Sequence, residues 1–263
     1  MAPTGNDPAT APGTGAGPDA PTGADSSAGV GSGLHQALSR ILRDRHTCRQ
    51  FLPDAVPRPV TEELLALAQR TPSWCNTQPW HVHLTEGAAT DRLRAGLLEH
   101  VRSRPAAPDL PFPAQYTGAY RERRRECGHQ LYNSLGIARD DQEGRLRQLL
   151  RNFELFDAPH TAVVTTEAGL GVYGAVDCGL YINTFLLAAH SLGLAAAPQA
   201  ALASYSDFLH GHFGIPDHRH VVAAVSFGYA DPEHPANAFR TRREPVQNAV
   251  TWHTGDDGEA ARE

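Results

Sequence analysis

Arginines stand in two distant groups, in RHTCRQF at residues 45–51 and in RTRR at residues 240–243. A guanidinium group matches two phosphate oxygens at once, and two or three such groups can hold a phosphate dianion without a glycine-rich loop. The first group follows a predicted helix and the second follows the last predicted core strand, so rigid elements hold both. The pattern predicts that they converge on one phosphate; the alternative is a set of solvated surface arginines.

The stretch GLGVYG at residues 169–174 has the glycine spacing of a dinucleotide-binding turn, and it lies between a predicted strand and a predicted helix. A Rossmann unit also needs an acidic residue about 20 residues further on, where it binds the ribose hydroxyls. No acidic residue occurs between Asp177 and Asp207. We therefore interpret these glycines as easing a loop into a helix.

Histidines are concentrated in HGHFGIPDHRH at residues 210–220 and in HVH at residues 81–83. A tight metal site needs neutral imidazoles that converge from fixed elements with carboxylate or thiolate support, whereas the longer cluster covers a helix end and a turn. We expect no metal.

A nucleophilic enzyme is not favoured either, because Cys75 has no third group that would complete a triad and no G-x-S-x-G elbow is present.

Composition sets further bounds on the function. A formal net charge of −6 and a pI near 6.1 argue against a nucleic-acid binder. All 23 Lys and Arg residues are arginine, which excludes Schiff-base chemistry by lysine. The four cysteines lie far apart without a C-x-x-C pair, as expected for reduced thiols in the cytoplasm. The apolar window 178–189 is too short for a membrane span, so we expect none.

Hydrophobic periodicity predicts the elements that position the arginines. Helices are predicted at 34–45, 61–70, 119–153 and 174–193, the last apolar nearly all round and hence buried, and a short helix begins at Ser206 and ends at Gly214. Strands are predicted from the alternation at Trp80, Val82 and Leu84 and in the runs 161–166 and 220–229. Residues 1–33 are predicted to be a disordered tail and residues 255–263 a flexible one, which leaves one α+β domain at 34–254.

Four stretches, in order, resemble the FMN-dependent nitroreductase family, in particular its nitrobenzoate-reductase-like branch. They are RHTCRQF, TPSWCNTQPW at 71–80, DCGLYINTFLLAAHSLGLAAAPQAAL at 177–202 and SFGYADPEHPANAFRTRREP at 226–245. The resemblance implies a nitroreductase-like sandwich of a central sheet flanked by helices. It also implies an intertwined homodimer with FMN in a cleft at the interface and helix 174–193 at its centre.

The same resemblance implies roles for individual residues. The first phosphate and ribityl contacts would come from Arg45, His46, Thr47 and Arg49, and the late phosphate contact from Arg243, assisted by Arg240 or Arg242. The loop packing on the isoalloxazine, in part that of the partner subunit, would contain Pro72, Ser73, Asn76 and Gln78. The loop whose backbone N–H faces flavin N5 would be Pro198, Gln199 and Ala200. A substrate lid at residues 113–135 would use Tyr116, Tyr120, Arg121 and Arg124, unless this stretch is an ordinary surface helix.

The activity implied by the resemblance is ping-pong transfer of hydride from NAD(P)H through flavin N5 to a nitroaromatic, a quinone or a similar small-molecule acceptor. The flavin would carry the chemistry, so no catalytic side chain is expected. Two alternatives keep the flavin: a tailoring dehydrogenase or dehalogenase in a biosynthetic pathway, and a flavin-binding protein without turnover. The absence of lysine disfavours a deiodinase.

Overall fold

The computed structural model describes residues 27–254. Within these residues the chain divides into two units, with the boundary between Arg40 and Ile41. Residues 1–26, which form most of the predicted N-terminal tail, and the predicted C-terminal tail at 255–263 lie outside the described residues. Helix α1 spans Ser27–Asp44, so residues 27–33 are helical although their composition predicted a tail. Extending a formed helix adds one hydrogen bond per residue fixed, which allows a poor helix-forming stretch to continue it.

A four-stranded antiparallel sheet in the order β1-β2-β4-β3 forms the centre of the second unit. Its strands are β1 (His81–Glu86), β2 (His160–Glu167), β3 (Ala195–Gln199) and β4 (Arg219–Gly228). The three strands predicted from periodicity are confirmed. Strand β3 was not predicted because its sequence, AAAPQ, has poor strand propensity, and only its pairing with β4 defines it.

The other α-helices of the described residues are α2 (Arg58–Ala68), α3 (Ala88–Ser103), α4 (Gly118–Ser134), α5 (Gln142–Leu150), α6 (Gly171–Ser191), α7 (Ala200–Ala203) and α8 (Ser206–Phe213). The single helix predicted at 119–153 is wrong, because α4 ends at Ser134. Gly136 then takes a left-handed φ of 66°. A new helix begins where the Asp141 carboxylate accepts the N–H of Gly144 at 2.7 Å.

Helices cover both faces of the sheet. On one face α6 and α2 pack over Ala162, Val164 and Phe227, with Phe185 of α6 fully buried. The other face of the sheet is covered by α3, through Leu93 and Leu97, and by α7 and α8. These helices pack on the residues of β2 and β4 that point to that side. The predicted α+β sandwich of a central sheet flanked by helices is therefore confirmed.

Helix α6 has one apolar face that its own chain leaves open. Val172, Tyr173, Val176 and Leu180 are between 46% and 70% exposed, while Tyr181 and Phe185 on the opposite face are buried. The prediction that this helix is buried nearly all round is wrong for the single chain. Its apolar stretch is also longer than predicted: by length and composition alone Ala168–Ser191 could cross a bilayer, a test that core helices of globular proteins also pass.

Two glycines of GLGVYG, Gly171 and Gly174, have structural roles. Gly171 begins α6 with a φ of 56°, a left-handed conformation that favours glycine. A Cβ on Gly174 would lie 2.5 Å from the Thr166 hydroxyl oxygen, so only glycine lets α6 approach β2 this closely. These contacts agree with the interpretation of the motif as a loop entering a helix.

His160 is a buried histidine that the fold holds in its neutral form. Its Nε2 accepts the backbone N–H of Val56 at 2.9 Å, and its ring stacks on Phe227 with centroids 5.1 Å apart. Burial lowers the pKa of the His160 imidazole. Protonation of Nε2 would place an N–H opposite the N–H of Val56, so two donors would face each other.

We expect the free energy of unfolding to decrease as the pH falls below about 6.5, the ordinary histidine pKa. As the pH falls, His160 is protonated in the unfolded chain before it is protonated in the folded one. The contribution of neutral His160 to the free energy of unfolding is therefore complete above about pH 6.5, and it is lost as the pH falls through the lower folded-state pKa. Urea unfolding at about pH 7.5 and about pH 5.5, on either side of the ordinary value, should show a smaller loss for His160→Gln than for the wild type. The exposed His253→Gln is the control; equal losses in all three proteins would contradict the assignment.

Candidate functional site

The segment 45–51 is held in an extended conformation at the edge of the sheet. Thr47 forms an isolated parallel bridge with Ala196 of β3, and the N–H of Cys48 donates to the Ala196 carbonyl at 3.1 Å. Further along, the N–H of Phe51 donates to the Phe156 carbonyl at 3.1 Å. These backbone contacts fix the positions from which Arg45 and Arg49 project.

Asn237 joins this segment to the C-terminal arginines. Its Oδ1 accepts the backbone N–H of Arg49 at 2.7 Å, and its Nδ2 donates to the carbonyls of Gln50 at 2.9 Å and Asp231 at 2.8 Å. The residue is buried, as expected for an amide with all these bonds made. Sequence reasoning missed Asn237, although it lies within the fourth family-like stretch.

The two arginine groups meet around one cavity of about 360 Å³. Six of the predicted residues line it, namely Arg45, His46, Thr47, Arg49, Arg240 and Arg243. The other lining residues were not predicted: Leu42, Arg43, Cys127, Phe239 and Thr241. Cys127 belongs to α4, so that helix forms one wall of the cavity.

The cavity has an excess of positive charge. Within residues 27–254, no carboxylate forms an ion pair with Arg45, Arg49, Arg240 or Arg243. Burial, and then the charge of Arg243, lowers the pKa of the Arg45 guanidinium. Burial, and then the positive charges of Arg240 and Arg45, lowers the pKa of His46. Cations that repel one another in this way favour a bound anion.

Arg242 has a different environment from its neighbours in RTRR. Its Nε lies 2.8 Å from Oε1 of Glu126 on α4, and its side chain is 81% exposed. The sequence left open whether Arg240 or Arg242 assists Arg243. In the structure Arg240 lines the cavity and Arg242 is paired outside it.

The loop 71–80 lies elsewhere, beside the first turn of α6. Cys75, Asn76 and Gln78 all have positive φ, between 46° and 54°. Such strain in residues other than glycine is typical of functional loops. The loop is held because the N–H of Trp74 donates to the buried Asp177 carboxylate at 3.2 and 3.3 Å.

Trp74, Cys75, Tyr173 and Asp177 contribute to a second cavity of about 310 Å³. The predicted flavin contacts of the loop, Pro72, Ser73, Asn76 and Gln78, are therefore not brought to the arginine cavity of their own chain. Their role stays a prediction.

Pro198 and Gln199 end β3, and Ala200 begins α7. The side chain of Gln199 is buried, where it donates to the Asn152 carbonyl at 2.8 Å and accepts from the Ser226 hydroxyl at 2.6 Å. That amide supports the fold, so a contact to a ligand would have to come from the backbone. The predicted N5 contact stays a prediction.

The predicted lid residues are exposed and do not line the arginine cavity. Tyr116 and Tyr120 are 43% and 69% exposed, and the guanidinium of Arg124 lies 5.1 Å from the ring centroid of Tyr116. Arg121 lies on α4, as Arg124 does, and is exposed. Substrate binding by these residues stays a prediction.

The expectations that no metal binds and that Cys75 is not a nucleophile stay predictions; Cys75 is exposed, unlike Cys48 and Cys178. The part of the chain that the structure describes contains no group of three or more His, Cys, Asp or Glu side chains placed to hold a metal. All four cysteines are free, and burial raises the pKa of Cys48 and of Cys178 to about 11. Thiols with such pKa values are poor nucleophiles near neutral pH.

The α+β sandwich thus carries, at the edge of its sheet, a cavity lined by Arg45, Arg49, Arg240 and Arg243, which have no carboxylate partner within residues 27–254. The sequence model of the nitroreductase family matches residues 42–229, and the chain belongs to that family. It is 35% identical to nitroreductase NfnB of Mycolicibacterium smegmatis over 80% of this chain and 90% of that protein. It is 34% identical to a 4-nitrobenzoate reductase of Nocardioides sp., over 84% of this chain and 92% of that protein.

A solved structure shares the fold at a TM-score of 0.81 and 33% identity, with 84% of this chain and 100% of that chain covered. It is the FMN-dependent nitroreductase NfnB from Mycobacterium smegmatis in complex with NADPH. The fold predicted from the four stretches is therefore that of the solved relatives.

Proposed function

We propose that the protein is an FMN-dependent NAD(P)H oxidoreductase that reduces nitroaromatic compounds, quinones or related electron-poor acceptors. The observation that carries the proposal is the cavity where Arg45, Arg49, Arg240 and Arg243 converge, with no carboxylate partner in the described part of the chain. The relatives support it, since they are named as nitroreductases and nitrobenzoate reductases, and one solved structure is described as FMN-dependent.

The residues present fit the phosphate end of FMN. Burial, and then repulsion by Arg243, lowers the pKa of Arg45; a phosphate dianion would offset both effects, and the guanidinium forks can each bind two of its oxygens. Arg49 is already oriented, because its guanidinium lies 5.2 Å from the centroid of the Phe239 ring. The Thr47 side chain lines the same cavity, where its hydroxyl would donate to the phosphate or the ribityl chain.

When bound, FMN would supply the redox chemistry, namely transfer of a hydride from a nicotinamide to an acceptor by way of its N5. The protein's task is to bind and orient. A backbone N–H of the stretch 198–200, in which Pro198 itself has none, would donate to N5, and Asn76 and Gln78 would offer amides to the uracil-like edge. NAD(P)H and the acceptor would use the same face in turn, so we expect ping-pong kinetics.

We infer that the protein acts as a homodimer. The open face of α6 presents Val172, Val176 and Leu180, apolar side chains that a monomer would leave in water. The strained loop 71–80 and its cavity adjoin that face through Tyr173. A second copy packed there would bring the loop toward the partner's flavin.

Four free cysteines agree with a cytoplasmic location.

The proposed function is tested by the absorbance spectrum of the purified protein and by anaerobic addition of NADPH or NADH. We expect a yellow protein that one of the donors bleaches and that a nitroaromatic or a quinone restores. Bound flavin that neither donor reduces would favour a tailoring enzyme or a flavin-binding protein without turnover. No flavin after reconstitution with FMN would overturn the proposal.

A further inference from the structure

Helix α4 is tied to the C-terminal arginine segment by two ion pairs. Glu126 of the helix pairs with Arg242 at 2.8 Å, and Arg123 of the helix pairs with Glu244 at 2.8 Å. The charges therefore alternate: an acid and a base on α4 bind a base and an acid that lie two residues apart in the segment. This arrangement fixes the direction in which the segment runs past the helix.

The tied segment is the one that carries the phosphate-cavity arginines. Arg243 lies between the two paired residues of the segment, and Arg240 lies two residues before the first of them. Both line the cavity, as does Cys127, which follows Glu126 on the helix. Arg240 is held by the carbonyls of Asn237 and Phe239, whereas Arg243 stands between two residues paired with α4, so these ion pairs limit the directions open to the Arg243 side chain.

We propose that α4 is an electrostatic strap, in which Glu126 and Arg123 are positioning residues that aim Arg243 at the phosphate of FMN. The inference rests on the proposed function, because the phosphate is the ligand being positioned. Single exposed ion pairs contribute little to stability. Two of them acting on one short segment instead restrict its orientation.

The strap and simple electrostatics predict opposite effects of removing Glu126 on the affinity for FMN. Glu126 is a negative charge beside a cavity for an anion, so removing it should tighten FMN binding if only its charge matters. If Glu126 aims the segment, its removal should weaken binding, since Arg243 is then free to turn away. Glu122, one helical turn earlier on α4, is exposed and forms no ion pair within residues 27–254, so it is a matched control.

The test measures the dissociation constant of FMN for the apoprotein by quenching of flavin fluorescence. We expect Glu126→Gln to weaken binding by about three- to ten-fold, and Glu126→Arg to weaken it as well despite the added cation. The double variant Glu126→Arg with Arg242→Glu restores the pair in reverse, so its affinity should return to within about two-fold of the wild type. Glu122→Gln should bind as well as the wild type or better.

Turnover at saturating FMN should be unchanged in the control Glu122→Gln, because Glu122 is exposed and lies outside the strap. Glu126→Gln binding as tightly as the wild type or more tightly would overturn the inference, and so would a double variant as weak as Glu126→Arg. Wild-type protein that fails to bind FMN would instead overturn the proposed function, and the strap with it.

Discussion

Replacing Arg45 with alanine is expected to weaken FMN binding by about 10- to 100-fold, the equivalent of about 1.5–3 kcal/mol for a charge-assisted hydrogen bond. Arg45 lines the cavity, has no carboxylate partner within residues 27–254, and has its pKa lowered by burial and by Arg243. Its positive charge is thus held in the fold without compensation until an anion binds. Flavin fluorescence titration of the apoprotein measures the change.

The same loss is expected for Arg243→Ala, which removes the contact from the other end of the chain. Arg147→Ala is the matched control, because Arg147 is an exposed arginine on α5 that pairs with Glu143 at 2.6 Å and does not line the cavity. Unchanged affinity in both cavity variants would refute the phosphate assignment. A similar loss in the control would show that the effect comes from net charge.

Placing arginine at Val176 is expected to separate the proposed dimer. Val176 is 52% exposed on the open face of α6, and a second copy packed there would bury it. An unpaired charge in a dry interface costs about 3–5 kcal/mol, which corresponds to a dissociation constant more than about 100-fold higher. Analytical ultracentrifugation over a range of concentrations would show the shift to monomer.

Leu146→Arg provides the control for Val176→Arg. Leu146 is 54% exposed on α5, so the substitution replaces an equally exposed apolar side chain at a distance from α6. We expect this variant to keep the wild-type mass. If Val176→Arg does so too, the open face of α6 is not the interface.

Loss of the dimer should also lower FMN affinity, because the loop 71–80 would then be missing from the partner's site. Its residues lie at a separate cavity of their own chain. A monomeric Val176→Arg that binds FMN as the wild type does would place that loop outside the flavin site. The Arg45 and Val176 variants therefore test the two ends of the proposed site independently.

Residue type and local spacing alone determined much of this protein. Period-two alternation predicted β1, apolar runs predicted β2 and β4, and the spacing of the leucines predicted α1, because these patterns depend on neighbours along the chain. The four family-like stretches predicted the nitroreductase fold that the solved relatives share. Six of the residues assigned to the phosphate end line one cavity, although nearly 200 positions separate the two groups in the chain.

Only the tertiary structure decided which charges are free and which faces are open. Arg240 and Arg242 are indistinguishable in RTRR, yet one lines the cavity and the other pairs with Glu126, a residue that no local pattern connects to it. Strand β3 exists through its pairing with β4, and the exposed face of α6 is as apolar as the buried one. Ion pairs, strand pairing and burial depend on neighbours in space, and those neighbours are set only when the whole chain has folded.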